Sequence, residues 1–444
     1  MNLVRNAAGT FATRVMMALC HVGVAVLVAR MLGPGGRGEL AAALLVPMTL
    51  VGLLHLGFTN ANGVFMGSMP DRREALVAQS IVVALGLGSL VAAAVGAVYL
   101  FGPPLPGALG RADLTSRLLA LLFLPVGLLN TLMGCALWGA NRIKTFNRLE
   151  LGRVVGYAVL AVVMLVGFRL GVLGVVMATA VSALATAAAT LLAVRRVCPV
   201  RLGNVSWPLV VRSLRFGVQN WAAAVANDLM LRVDQWFIAV MLGGTELGLY
   251  AVAVGMAEKA WMLPKSINAA VVPHLTQEST HPAASTRRVY RSMMLLFLPV
   301  FGLIAAGGTL LIGLLFGEAF TGSILPFLVL LPGVYLLGGG RVLYACLYTQ
   351  EKPRYAIVTN WSMLAVNLVL NAVLIPLWGI GGAAAASLIS YVGAGVLWIV
   401  FFCRETGSRP AQMMPRWSET RELLGDIFRR IFPRREVRGQ GGLP

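Results

Sequence analysis

From Phe11 onward, long apolar runs alternate with short polar or glycine-rich punctuation. Runs of about 18 or more apolar residues read as membrane-spanning helices, because only a helix satisfies its own backbone in lipid. Twelve such runs are predicted: 11–31, 39–66, 75–101, 115–138, 149–168, 171–194, 216–242, 247–272, 291–316, 322–348, 355–377 and 379–403. The links are short and carry Gly, Pro or charge. The first run follows a basic N-terminus, as a signal peptide would. Its last turn joins a repeated phrase, so it reads as a structural helix.

That phrase is MLGPGGRGELAAA at 31–43, and MLGGTELGLYAVA stands at 241–253, with six of thirteen positions identical at an offset of 210. Gly171, Gly174, Ala178 and Ser182 likewise correspond to Gly379, Gly382, Ala386 and Ser390, at an offset of 208. The polar loop at 137–144 matches 347–354 in position, again at 210. Three landmarks at nearly one offset predict a duplication. Six spans per half make the halves parallel, related by an axis along the membrane normal, with a cavity between them. The predicted fold is all-α, with about twelve transmembrane helices in two parallel lobes. Residues 1–200 form the first lobe, 201–405 the second, and 406–444 a basic cytoplasmic tail. Glycines in the repeated phrase would permit tight helix ends and close helix approach.

Composition agrees. The 444 residues are 58% hydrophobic and 12% charged, with mean hydropathy +0.81, against about a quarter charged in soluble domains. The net charge of +19 could suggest nucleic acid. Its distribution points to topology instead. One set of loops and termini carries 27 Lys and Arg, and the other carries five: Arg30, Arg37, Arg111, Arg117 and Arg169. The richer side is therefore cytoplasmic, with both termini there, and no nucleic-acid partner is expected. From Pro415 to Arg438, Trp417, Leu424, Ile427, Phe428 and Ile431 recur at helical spacing between arginines. That pattern fits either an amphipathic helix on the inner leaflet or a solvated basic tail. Five scattered cysteines make no metal-ligand spacing and no evident disulfide framework.

Polar residues that the repeat does not copy are the candidate site. Asn220, Asn227 and Asp234 are seven apart and predicted on one helical face, with Asp228, Arg232 and Gln235 beside them. Their counterparts at an offset of 210 are almost all apolar. Asn360, Asn367 and Asn371 share a face in the eleventh span; Glu258, Lys259 and Lys265 lie in the eighth, Arg341 in the tenth, and Arg14 with His21 in the first. An ionised side chain at the bilayer centre costs about 2.5–3.5 kcal/mol even on mild scales, so such groups face a cavity or each other. Asp228 with Arg232 at i,i+4, and Glu258 with Lys259, could be internal salt bridges that glue helices. Arg14 and Lys265 could snorkel. Counted together, Arg14, Arg232, Lys259, Lys265 and Arg341 outnumber Asp228, Asp234 and Glu258. That excess suits an anionic substrate such as a diphosphate. Arg14, His21, Arg232, Lys259 and Arg341 are the substrate-binding candidates. Asp228 or Asp234 with Asn367 and Asn371 offers hard oxygen ligands for a coupling ion, Na⁺ or H⁺. No other cofactor is expected.

The chain has no Gly-Lys pair and hence no P-loop; its four histidines do not form H-E-x-x-H. No outer loop is long enough for a catalytic domain. These features predict a secondary transporter, not an enzyme.

The stretches at 30–43, 231–258 and 367–390 resemble the Wzx-type polysaccharide flippases of the multidrug/oligosaccharidyl-lipid/polysaccharide exporter superfamily. The resemblance covers nearly the whole chain. It implies a MATE-like V of two six-helix bundles in the bacterial cytoplasmic (inner) membrane. It implies transfer of undecaprenyl-diphosphate-linked oligosaccharide to the outer leaflet for O-antigen, capsule or exopolysaccharide assembly. A polysaccharide polymerase and a chain-length regulator would be partners. Asp234 sits at the aspartate of that family's r-x-D-q pattern, and Arg14, Arg232 and Arg341 match its cavity arginines by position. The alternatives are a multidrug or cation antiporter of the same fold, a lipid II flippase (though those usually have fourteen helices), and a membrane polymerase or ligase.

Overall fold

The computed structural model describes residues 2–262, 264, 282–350, 352 and 354–417. Every regular element among them is helical. Eight stretches are long and apolar enough to cross a membrane. Two of these hold a pair of predicted spans each. Helix α1 (Asn2–Leu54) folds at Gly33, whose φ of 67° and ψ of −179° no α-helix contains. Pro34 follows, with no N–H to lose. After a break at Leu56 and Gly57 the chain continues as α2 (Phe58–Ser68). Helices α3 (Arg73–Val82) and α4 (Gly88–Phe101) are joined by a π turn. A short α5 (Gly107–Arg111) leads to α6 (Leu114–Ala120), α7 (Phe123–Gly139), α8 (Ile143–Val162) and α9 (Gly171–Arg195).

The second part begins with α10 (Trp207–Met230), interrupted at Leu231 and Arg232 before α11 (Val233–Met241). Then come α12 (Gly244–Lys259), α13 (Pro282–Leu311), α14 (Ile324–Thr349) and α15 (Arg354–Thr406), the last folded at Gly379. The predicted spans at 216–242 and 247–272 fall on the interrupted α10–α11 and on α12. The second of them runs beyond the described residues, as does most of the tail from Pro415 to Arg438.

Sequence-paired glycines share backbone conformations. Gly33 and Gly243, 210 apart, both combine positive φ with extended ψ. Gly171 and Gly379, 208 apart, have φ of 60° and 57°. A third pair, Gly107 and Gly317, again 210 apart, has φ of 60° and 95°. L-residues rarely adopt these angles, so glycine at each turn is a steric requirement.

The repeated phrases also touch each other. A Cβ on Gly38 would collide with the Gly244 carbonyl oxygen, and one on Gly248 would collide with the Pro34 carbonyl oxygen. Gly38 and Gly248 correspond at an offset of 210, as do Pro34 and Gly244. The contact is therefore reciprocal, as across a two-fold axis. At the same end, Arg30 reaches from α1 to the π turn after α13. Its Nε donates to Leu315 O at 2.5 Å and its Nη2 to Leu314 O at 2.6 Å. A π turn breaks the regular i→i−4 ladder and opens carbonyls to such a donor.

One buried cluster runs through α1, α10–α12 and α13–α15 around Tyr250, Phe320 and Phe327; another fills α2, α3, α7 and α9 around Phe58, Leu128 and Met133. Leu90, Leu303, Leu377 and Trp378 point outward and are exposed. An apolar interior with an equally apolar exterior is the pattern of a protein solvated by lipid.

Candidate functional site

A cavity of about 370 Å³ opens between the second limb of α1, α7, α10–α11 and α12. Its polar lining includes Thr49, His55, Thr131, Asp228, Arg232 and Glu258. Chain breaks on both flanks create it. On one side, the helix gives way at Leu56 (φ 45°) and Gly57 (φ 82°). There the imidazole of His55 bridges the gap: its Nδ1 accepts from the Gly57 N–H at 3.1 Å and lies 3.3 Å from Thr59 Oγ1. On the other side, α10 stops at Met230, and Arg232 leaves helical geometry with φ −132° and ψ −15°.

This second break decides the electrostatics. In an unbroken helix Asp228 and Arg232 would meet at i,i+4. Among the described residues they form no ion pair, nor do Glu258, Lys259 or Arg341. The salt-bridge-glue expectation is thus not met for these residues. Asp228 Oδ1 accepts a hydrogen bond from Asn227 Nδ2 at 3.1 Å, and its Oδ2 faces Gly52 across the gap. Arg341 does not line the cavity. It stands behind the wall, 5.0 Å over the Trp261 ring, with its Nη2 3.4 Å from Asn227 Oδ1. Among the described residues the cavity wall carries two carboxylates, Asp228 and Glu258, and one guanidinium, Arg232; Arg14 and Lys265, two of the five cations in the expected excess, lie outside the described side chains.

The predicted Asn220–Asn227–Asp234 stripe is split by the same interruption. Asn220 and Asn360 tie α10 to its neighbours, through Tyr348 Oη at 3.4 Å and Ala223 O at 2.8 Å. Asp234 turns away from the cavity and is 1% exposed. It accepts three hydrogen bonds: from Tyr250 Oη (2.6 Å), the Gln235 N–H (2.7 Å) and Ser387 Oγ (3.1 Å). Its α11 packs against α15, which carries Asn367 and Asn371, both fully buried. Asn371 Nδ2 donates to Asn367 O at 2.8 Å and to Asn367 Oδ1 at 3.0 Å, which leaves Asn371 Oδ1 and Asn367 Nδ2 without partners among the described residues. Both α10, which carries Asp228, and α11, which carries Asp234, pack against this helix; Asp234 reaches it through its hydrogen bond from Ser387.

His21 donates through Nδ1 to Met17 O at 2.9 Å, and lies within electrostatic reach of Lys259. Neither lines the described cavity. Arg14 and Lys265 lie outside the described side chains. Sequence reasoning missed His55 and Ser387. His55 was one histidine in an apolar run, with only the following Leu-Gly to hint at a break. Ser387 was one of several small residues in GGAAAASLIS.

Residues 3–279 match the model of the polysaccharide biosynthesis protein family. The chain belongs to this family. No curated protein matches it. Among solved structures it is similar to the lipid II flippase MurJ in an inward closed conformation, with TM-score 0.73 and 12% identity, covering 97% of this chain and 93% of that one. It is also similar to a MATE protein in a straight conformation (TM-score 0.66, 12% identity, 91% and 95% covered). A point mutant of the Vibrio cholerae MATE transporter VcmN is similar as well (TM-score 0.62, 16% identity, 93% and 99% covered). At these identities the likeness establishes the fold. The protein is a multi-pass helical membrane protein of a polysaccharide biosynthesis family, with a MATE- and MurJ-like fold.

Proposed function

We propose that this family member is a flippase for an undecaprenyl-diphosphate-linked oligosaccharide. It would work in the bacterial cytoplasmic membrane, to supply O-antigen, capsule or exopolysaccharide assembly with its polymerase and chain-length regulator. In this reading twelve spans form two six-helix lobes, residues 1–200 and 201–405, with both termini cytoplasmic. The observation that carries it is the cavity between the two parts of the chain. Its charges have no ionic partners among the described residues, and its glycine-turn end is shut by backbone contact. The cost of holding unpaired charges in lipid is offset when they serve a ligand. Rocking of the lobes would part the Gly38–Gly244 contact and expose the cavity on the other side. The prenyl chain would stay in lipid.

Asp234, Asn367, Asn371 and Ser387 are assigned to the coupling ion. They are oxygen donors at one helix interface, and Asn371 Oδ1 has a free lone pair. Na⁺ suits such hard ligands; a proton on Asp234 would serve the same linkage. The test is flipping of a labelled lipid-linked oligosaccharide in proteoliposomes, with and without Na⁺ and pH gradients. Wild type should transport. Arg232→Ala should lose at least about tenfold, the scale of one lost charge-assisted contact, and Asp234→Asn should lose its response to the gradient. Wild type that ignores the lipid but exports a drug cation would replace this reading with the multidrug one, which the two cavity carboxylates favour.

A further inference from the structure

A second pocket, of about 430 Å³, lies on the same seam as the cavity but at the arginine-rich end. The seam is the interface of α2 with α10. Along it the cavity, with Asp228 and Glu258, comes first. Next is a constriction where Gly57 and Gly217 meet backbone to backbone, so that a Cβ on Gly217 would collide with Gly57 O. Beside it the rings of Phe65 and Phe216 pack at 4.9 Å. The second pocket follows, bounded by Ser68 and Arg72 from the α2–α3 connection and by Ser206 and Arg212 from the start of α10. The two pockets have opposite chemistry. The cavity wall holds most of the acid; the rim pocket holds two guanidiniums and a single carboxylate, Asp71.

The rim arginines are not consumed by the fold. Neither Arg72 nor Arg212 forms an ion pair among the described residues, Asp71 included. Arg212 lies 5.5 Å over the Phe65 ring, which holds its plane without satisfying its N–H donors. Arg73, by contrast, is committed: its Nε donates to Met66 O at 2.7 Å. Ser206 stands at the N-cap of α10 yet makes no capping hydrogen bond, so its hydroxyl is open. The helix start adds a partial positive charge. Trp207 beside it is 72% exposed, as expected of an indole at the level of lipid headgroups.

We propose that this rim pocket is a phosphate site at the membrane interface, in which Arg72 and Arg212 clamp the phosphate of a lipid headgroup. Two guanidiniums around one pocket present forked donors to phosphate oxygens, which a single ammonium cannot do. The ligand chemistry has two sources: an anionic phospholipid of the inner leaflet, or a prenyl diphosphate on its way to the cavity. The second source rests on the transport reading above; the site itself does not. In that case the pocket would be the waiting position, where the anion is held before the constriction at Gly57 and Gly217 opens. It would make the rim the first anion contact, ahead of Arg232 in the cavity.

The test uses the full-length protein in detergent and native mass spectrometry with three probes: phosphatidylglycerol, farnesyl diphosphate and, as a net-neutral control, phosphatidylcholine. Wild type should retain at least one of the first two over the control. R72A/R212A should lose that retention at least about tenfold, as expected for two charge-assisted contacts, with an unchanged thermal midpoint. R72K/R212K, which keeps charge and loses the forks, should lie between. Arg148→Ala, at an exposed arginine on α8 that lines neither pocket, should leave retention intact. Preference for phosphatidylglycerol names a resident lipid; preference for farnesyl diphosphate names the carried class. Equal retention of phosphatidylcholine, or no effect of the double substitution, overturns the proposal. Loss in Arg232→Ala alone would overturn it too, by placing the ligand in the central cavity. Flipping that fails while rim binding persists would reject the transport reading and leave the site standing.

Discussion

Asp228 and Asp234 lie six residues apart on one interrupted helix, and their surroundings have little in common. Asp228 faces a cavity, holds one side-chain hydrogen bond and has no ion-pair partner among the described residues. Asp234 is sealed inside the second part of the chain and accepts three hydrogen bonds from α11, α12 and α15. The difference comes from two residues of backbone, Leu231 and Arg232, that leave the helix. A continuous helix would put Asn227 and Asp234 on one face. The break turns one acid into a buried, hydrogen-bonded interface and leaves the other facing the cavity. Burial and hydrogen bonding, rather than residue type, therefore set the two apart.

The sharpest way to break the comparison is to remove each acid. Asp234→Ala orphans the hydroxyls of Tyr250 and Ser387 in a buried site, at about 1–3 kcal/mol for each unsatisfied group. A total loss of about 2–5 kcal/mol is expected on that basis, seen as a collapse of folded yield or thermal midpoint in detergent. Asp228→Ala should change stability by no more than about 0.5 kcal/mol, as cavity-facing positions do. Equal losses at both positions would mean that Asp228 is structural as well.

Tyr250→Phe asks the question more gently. It deletes a single 2.6 Å hydrogen bond to the Asp234 carboxylate and keeps the ring that fills the core. Hydrogen bonds to charged groups contribute about 1.5–3 kcal/mol. The thermal midpoint should fall, by less than for Asp234→Ala. If Asp234 also holds the coupling ion, the variant should keep flipping but need more Na⁺. An unchanged midpoint would show that Tyr250 contributes only its ring.

Much of this was legible in the chain. Hydrophobic runs gave helices, and the repeated MLG phrase located Gly33 and Gly243, where only glycine tolerates the turn. The pair Gly107 and Gly317 went unseen because its neighbours differ, although φ is positive at both. Asp228, Arg232 and Glu258, which line the cavity, were singled out because polar groups in apolar runs stand out. Their sorting was not legible. Leu231 and Arg232 contain no Gly or Pro, so nothing local announced the break, and helical periodicity was carried straight across it. Arg30 was read as a loop charge for the same kind of reason. Its acceptors, Leu314 and Leu315, lie 284 and 285 residues away, a distance no local pattern spans.

The break itself yields the smallest and most specific prediction. If α10 ran on through residue 232, Asp228 and Arg232 would pair at i,i+4. In a membrane-embedded, low-dielectric setting that pair would couple more strongly than the roughly 0.3–0.5 kcal/mol of a solvent-exposed helix pair. With Arg232 turned out of the helix, the two side chains act independently. A double-mutant cycle of Asp228→Asn and Arg232→Gln, read by thermal unfolding, should therefore give a coupling energy under about 0.5 kcal/mol. Each single variant should also be near neutral for stability, while Arg232→Gln impairs flipping. A coupling of about 1 kcal/mol or more would restore the continuous helix and the glue reading of these charges. It would also weaken the reason for treating Arg232 as a ligand-binding group, because a guanidinium neutralised by Asp228 offers an anion in the cavity little net charge.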